Sequence, residues 1–223
     1  MPLTLRPTDA LLVIDMQRDF LPGSQEHESP LAVAGGDAMI PGINETASRF
    51  QHVILTQDWH PWGHISFASS HPGKQPFSDT IEAPYGTQAL WPDHCIQDTP
   101  GAHIDPRIHI PHAELLLRKG FRRDIDSYSA FLENDHTTPT GLAGYLRERK
   151  LTRLFFCGLA YDFCVGFSAI DGAKLGFECL VVEDLSRAVG LPASDGQPAS
   201  IDHTNAGFAS AAIARICSAD VTA

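Results

Sequence analysis

Basic residues are scarce in this chain. Its 223 residues include 16 Lys and Arg against 27 Asp and Glu, a net charge of -11. That balance argues against a nucleic-acid binder, which needs a cationic face for the phosphate backbone. Long apolar runs are missing too, and none approaches the roughly 20 residues that cross a bilayer. The amino-terminal MPLTLRPTDALLVID lacks a signal-peptide layout, because its apolar run is short and ends in an acid. Cysteine is sparse and unpatterned: Cys95, Cys157, Cys164, Cys179 and Cys217 form no C-x-x-C pair, and their number is odd. A disulfide framework is therefore not expected, and a reducing cytoplasm is. No internal repeat and no linker interrupts the chain, so residues 1–223 are read as one domain. Histidine runs the other way. There are 11, most of them in the middle of the sequence, more than packing alone calls for.

Short apolar runs alternate with helical patterns. Ala10–Ile14, Val53–Thr56, Ala113–Leu117, Leu154–Cys157 and Phe177–Val182 read as buried strands, with Ala214–Cys217 as a short edge strand. Helices are expected over Gly36–Phe50, Thr140–Lys150, Phe163–Gly176 and Ala199–Ile213. Asp162 has the chemistry of an N-cap for the third of these. The alternation predicts an α/β fold, with a mostly parallel central β-sheet and helices on both faces. Arg187–Gln197 reads as a surface loop.

In such a sheet the ligand site lies beyond the carboxyl ends of the strands. Four reactive groups stand there. Asp15 ends the first run, Asp58 leaves the second, Lys119 follows the third, and Cys164 opens the helix after the fourth. Each has an ordinary reading as well: a loop acid, a solvated lysine, one more buried cysteine. Together they supply a nucleophile, a base and a cation. The helix start and Lys119 are expected to lower the Cys164 pKa. Asp58, His60 and His64 form a D-x-H-x3-H cluster, and His94 can fold back to join it. Imidazole and carboxylate suit zinc, iron or manganese. His71 and Cys95 compete for the same role. The stretch Pro61–Pro111 is rich in Pro, Gly, Ser and His, which predicts a metal-binding loop or lid at about 58–112. Trp62, Phe67, Tyr85 and Trp91 are candidates to wall a pocket for a flat ring.

The motifs LLVIDMQRDF, ILTQDWHPWGHISF, LWPDHC, RKG, GLAYDFCV and KLGFECLVVED resemble, in order and spacing, those of the isochorismatase-like cysteine hydrolase superfamily, and within it the nicotinamidases. The match runs from Ala10 to about Ala214. The resemblance implies a Cys164–Asp15–Lys119 triad and a divalent metal, zinc foremost, on Asp58, His60 and His94. His64 stands where some members supply a further ligand. It implies a cis peptide between Leu159 and Ala160, an oxyanion hole from the N–H groups of Ala160 and Cys164, and a ring sandwich of Phe20 and Trp91. The activity implied is hydrolysis of nicotinamide to nicotinic acid and ammonia through a thioester, feeding NAD salvage, with pyrazinamide as a further substrate. A homo-oligomer is also implied, with no membrane partner. The rivals are a metal-independent amidohydrolase of the N-carbamoyl amidase type and a non-catalytic metal-binding protein.

Overall fold

The apolar runs become strands where both faces of the chain find cover. A computed structural model describes residues 2–23, 28–194, 196 and 198–222. Asp195 and Gln197 of the expected surface loop lie outside them. In chain order the strands are β1 (Leu3–Thr4), β2 (Asp9–Ile14), β3 (His52–Asp58), β4 (Thr80–Ala83), β5 (Gly86–Ala89), β6 (Leu115–Lys119), β7 (Arg153–Leu159), β8 (Glu178–Arg187), β9 (Ala214–Ile216) and β10 (Val221–Thr222). The helices are α1 (Ile40–Ala47), α2 (Leu142–Glu148), α3 (Gly166–Lys174) and α4 (Ser200–Ser210). Six strands form one sheet in the order β6-β3-β2-β7-β8-β9, and every pairing in it is parallel. The expected α/β architecture is therefore the observed one.

Strand alternation divides the core in two. Leu11 and Val13 of β2 pack on one side with Ile40, Ile43 and Ala47 of α1. Ala10, Leu12 and Ile14 pack on the other with Leu142, Leu146, Ala169 and Phe208 of the remaining helices. All six residues of β2 are buried. Burying each large apolar side chain is worth about 1.5–3 kcal/mol, which accounts for a continuous apolar run rather than an alternating one. Gly158 serves this tight centre. It has φ +108°, and a Cβ there would stand 2.2 Å from the Ile14 carbonyl oxygen.

Several boundaries differ from expectation. The third sheet strand of the chain, expected over Ala113–Leu117, runs Leu115–Lys119, so Lys119 is its last residue rather than a loop residue. The run expected to stop at Val182 continues to Arg187. The helix expected from Gly36 starts as a 3-10 turn, Asp37–Met39, before α1. The stretch from Pro61 to Pro111 is more ordered than its composition suggests: it holds the β4–β5 hairpin and bridges His60 to Ile96 and Phe67 to Trp91. Among the described residues no helix is long and apolar enough to cross a membrane.

Candidate active site

The carboxyl ends of the central strands bring Asp15, Asp58 and Lys119 together. Asp58 and Lys119 are register partners across β3 and β6. Asp15 follows β2 with φ 46°, a left-handed conformation that Asp tolerates better than most side chains. Thr56 of β3 fixes its carboxylate: Thr56 Oγ1 donates to Asp15 Oδ1 at 2.6 Å and accepts from the Asp15 N–H at 3.0 Å. Lys119 Nζ lies 2.9 Å from Asp15 Oδ2 and 2.5 Å from Asp58 Oδ1. It also donates to the Ser127 carbonyl at 2.9 Å and approaches Cys164 Sγ at 3.3 Å. All four side chains are buried.

Cys164 stands in a single π-turn, Tyr161–Val165, that leads into α3. The turn closes when Ala160 O accepts from the N–H groups of Phe163 and Val165, both at 3.0 Å. The peptide between Leu159 and Ala160 is cis. Asp162 is not the N-cap expected from its chemistry. Ala160 occupies that position, and the Asp162 carboxylate instead accepts from the N–H groups of Val189 and Gly190 and from Ser200 Oγ. It anchors the loop after β8 to the start of α4.

The expected lowering of the Cys164 pKa is also overturned. Burial pushes the thiol well above its ordinary value, and Asp15 and Asp58 add to that against the pull of Lys119. Burial is the main cause, and the count of charges adds to it. One ammonium already faces two carboxylates, so little of its field is left for a third anion. Burial likewise raises Asp15, although Lys119 opposes it. For Asp58 burial acts upward, but Lys119 and then His60 outweigh it and hold the carboxyl well below the usual range. Lys119 is raised well above its ordinary value: burial disfavours its charge, and Asp15 and Asp58 more than restore it.

Next to Asp58 stands a cluster of imidazoles. Ligand atoms of Asp58, His60 and His94 lie within 4.8 Å of one another, all buried. His60 Nδ1 donates to the Gly120 carbonyl at 2.8 Å, which turns Nε2 toward Asp58 Oδ2, 3.6 Å away; burial lowers the His60 pKa, but Asp58 outweighs it and raises it. Nε2 is buried and has no hydrogen-bond partner. Gly120 permits this approach: its φ is +62°, and a Cβ would stand 2.5 Å from His60 Cε1. His94 is held in the same way, through Nδ1 and the Pro92 carbonyl at 2.7 Å. Two imidazoles fixed through Nδ1, an unpaired Nε2 and a buried carboxylate are a donor set that fits a divalent metal ion. His64 stacks on His60 with ring centroids 4.2 Å apart, but it groups with His60 and Asp126 rather than with Asp58. Its ring nitrogens meet Ser66 Oγ at 2.8 Å and the Ile125 carbonyl at 3.3 Å. His71 and Cys95 join none of these groups among the described residues.

A cavity opens onto the thiol and the cluster together. Its lining includes Phe20, Asp58, His60, Trp91, His94, Asp126, Tyr128, Ala160, Phe163 and Cys164. Of the four aromatics proposed for a pocket wall, only Trp91 lines it. Trp62 is 68% exposed. Phe67 is buried behind the cluster, its ring edge-on to His60, His64 and His94 at 5.5–5.6 Å. Tyr85 hydrogen-bonds to Gln88 outside the cavity. Sequence reasoning missed Thr56, Asp126, Ser127, Tyr128 and Phe163. The polar run Asp126–Ser127–Tyr128–Ser129 after Lys119 was the available signal. It also missed Gln17, whose amide clamps the Asp58 backbone at both N–H and carbonyl, 2.7 and 2.8 Å.

A parallel sheet that presents a thiol, a carboxylate and a lysine at its carboxyl edge has the layout of a cysteine-nucleophile hydrolase. The chain matches the isochorismatase domain over residues 9–215, and it belongs to that family. It is 51% identical over 185 residues to a nicotinamidase of Acinetobacter baylyi, covering 83% of this chain and 84% of that one. Among solved structures, a nicotinamidase and pyrazinamidase of Acinetobacter baumanii superposes with a TM-score of 0.88 at 48% identity, covering 96% of this chain and 98% of that one. A pyrazinamidase of Pyrococcus horikoshii in complex with zinc superposes at 0.72 with 29% identity, covering 95% and 99%.

Proposed function

We propose that this chain hydrolyses nicotinamide to nicotinic acid and ammonia, and pyrazinamide by the same route. The observation that carries this reading is one cavity bounded by the Cys164 thiol on one side and by Asp58, His60 and His94 on the other. In this reading Asp15 is the proton carrier, Lys119 the cation that ties base to nucleophile, and Cys164 the nucleophile.

The chemistry follows from the resting charges. Burial raises the proton affinity of both Cys164 and Asp15, and both lie against Lys119, so Asp15 is the base placed to take the thiol proton. Asp15 takes the thiol proton as sulfur attacks the carboxamide carbon. The resulting oxyanion is held by the N–H groups of Ala160 and Cys164. Asp15 passes its proton to the amide nitrogen, the C–N bond breaks, and ammonia leaves a thioester on Cys164. Water then attacks the thioester carbonyl while Asp15 accepts its proton. Sulfur departs, takes the proton back, and nicotinic acid is released.

Phe20 and Trp91 flank the ring. Asp58, His60 and His94 would hold the divalent ion, with His64 available behind His60. Zinc suits this set best, and iron or manganese also accept it. When bound, the ion supplies a Lewis-acid position for the pyridine nitrogen, which orients the carboxamide toward Cys164. The same reading treats residues 1–223 as one catalytic domain working in NAD salvage. It places the chain in the cytoplasm, where the unpaired thiols of Cys95, Cys157, Cys164, Cys179 and Cys217 stay reduced. Exposed Leu116 and Phe121, on and beside the sheet-edge strand β6, offer a surface for a homo-oligomer.

Benzamide keeps the ring and the carboxamide and lacks the ring nitrogen, so it separates this reading from a less selective amidase. A site built on one polar contact can reject such an analogue by roughly 10⁴-fold, and water replacing the lost ligand reduces that to about 10²-fold or more in kcat/KM. Equal kcat/KM for the two amides on the metal-loaded enzyme would move the assignment to an amidase indifferent to the ring.

A further inference from the structure

Gln88 is the one fully buried amide on the β4–β5 hairpin, with 1% of its surface exposed. It hydrogen-bonds to none of Cys164, Asp58, His60 and His94. Its carbonyl oxygen accepts from Tyr85 Oη at 3.1 Å and from Asn134 Nδ2 at 3.2 Å. Its nitrogen donates to the Ala89 carbonyl and to Asp126 Oδ2, both at 2.8 Å, and approaches Tyr128 Oη at 3.1 Å. Acceptors on one side and donors on the other fix which end is oxygen. Both hydrogens and both lone pairs are used, so no rotation of the amide is free.

Three hydrogen bonds meet at Tyr128, a wall of the cavity. Gln88 reaches the hydroxyl directly. Asn134, held by Gln88, accepts from the Tyr128 backbone N–H at 3.0 Å. Trp91, three residues beyond Gln88, donates its indole N–H to the same hydroxyl at 3.0 Å. The two aromatic walls are thus tied at one oxygen, and that oxygen is tied to Gln88. An apolar replacement leaves the buried Asp126 Oδ2 short of a donor and the Tyr128 hydroxyl held by Trp91 alone, and a stranded carboxylate moves to regain a donor.

We propose that Gln88 is a positioning residue for substrate binding: it sets the Trp91–Tyr128 wall against which the aromatic ring of the amide lies. This rests on the reading of the cavity as an aromatic-amide site. Because Gln88 acts on the wall and not on sulfur, its loss falls on KM.

The test uses the metal-loaded enzyme and the variants Gln88→Leu, Tyr128→Phe and their combination, with nicotinamide as substrate. Gln88→Leu is expected to raise KM about 10-fold, as misplacement of a binding wall does, with kcat changed less than about threefold. In the Tyr128→Phe background the same substitution should add less than about twofold, because the shared oxygen is already gone. KM within twofold of wild type in Gln88→Leu overturns the proposal, as does a fall in kcat alone or full additivity of the two substitutions. If Gln88→Leu does not fold, Tyr128→Phe decides: its KM must rise severalfold with kcat retained, and an unchanged KM overturns the proposal. Absence of nicotinamide hydrolysis in the wild-type enzyme would instead strike the functional reading itself.

Discussion

The two ends of the same sheet hold buried charge in opposite ways. At the amino end, Asp9 opens β2 and Arg153 opens β7 as register partners. The guanidinium meets the carboxylate through two bonds, Nε to Oδ1 at 2.9 Å and Nη2 to Oδ2 at 2.5 Å. One cation answers one anion in a planar fork. At the carboxyl end, Lys119 faces Asp15, Asp58 and the Cys164 thiol together. Charge there is unbalanced, and the thiol and Asp15 are both pushed toward their neutral forms. The balanced end has no group left to react. The unbalanced end holds a thiol and a carboxylate whose proton affinities are both perturbed around one lysine, the kind of grouping that acid–base sites use.

Substitutions at the two ends should therefore separate activity from stability. Asp15→Asn keeps the volume and removes the base. Its kcat/KM is expected to fall by 10³-fold or more, as loss of one member of a cooperating nucleophile unit does. Its melting temperature should hold or rise, because one buried charge is gone. Full turnover in Asp15→Asn would remove the proton carrier from the mechanism. Arg153→Ala is the mirror experiment. It strands a buried carboxylate, so denaturant unfolding should show a loss of about 3–5 kcal/mol, with kcat of the folded enzyme near normal. A loss under about 1 kcal/mol would show that the amino-end pair is not the structural tie described here.

Metal removal tests the imidazoles beside the unbalanced end. Burial, then the neighbouring His60, pushes both His64 and His94 down from the ordinary 6.5 to about 4. The folded metal-free protein thus binds fewer protons than the unfolded chain between those values, and stability present above pH 6.5 is lost as pH falls toward 4. Chelated protein should show a falling melting temperature over that window, and His94→Ala a smaller fall. A flat profile in the chelated protein would contradict the burial assigned to these rings.

A smaller effect concerns the thiol itself. With its pKa raised, Cys164 should react slowly with iodoacetamide at neutral pH, and the rate should climb about tenfold per pH unit up to pH 8.5 and beyond. Asp15→Asn removes an anion that raises the thiol, so its profile should shift to lower pH. A plateau below pH 8 in the wild-type protein would mean that Lys119 dominates the thiol after all.

The contrast also marks what the sequence could disclose. Strand interiors were legible because β2 and β7 are buried on both faces and must read as apolar runs. Asp15, Asp58, Lys119 and Cys164 were legible because an ionisable residue at the exit of such a run has one place to go. Asp162 was misread because local spacing describes a cap, while its actual partners, Val189, Gly190 and Ser200, arrive from far along the chain. The thiol was misread because its pKa depends first on its burial and then on how many anions share Lys119, which only the assembled site reveals. Tyr128 and Gln88 carry no motif, and their roles follow from a hydrogen-bond network between the β4–β5 hairpin and the segment after β6.

The most direct measurement is ammonia release from nicotinamide by the metal-loaded wild-type enzyme and by Cys164→Ala, each with nicotinic acid quantified in parallel. The wild type should release ammonia and nicotinic acid in equal amounts over many turnovers. The variant should fall by 10³-fold or more and still bind nicotinamide. No ammonia from the wild type, or comparable rates from both proteins, would contradict hydrolysis at the Cys164 sulfur.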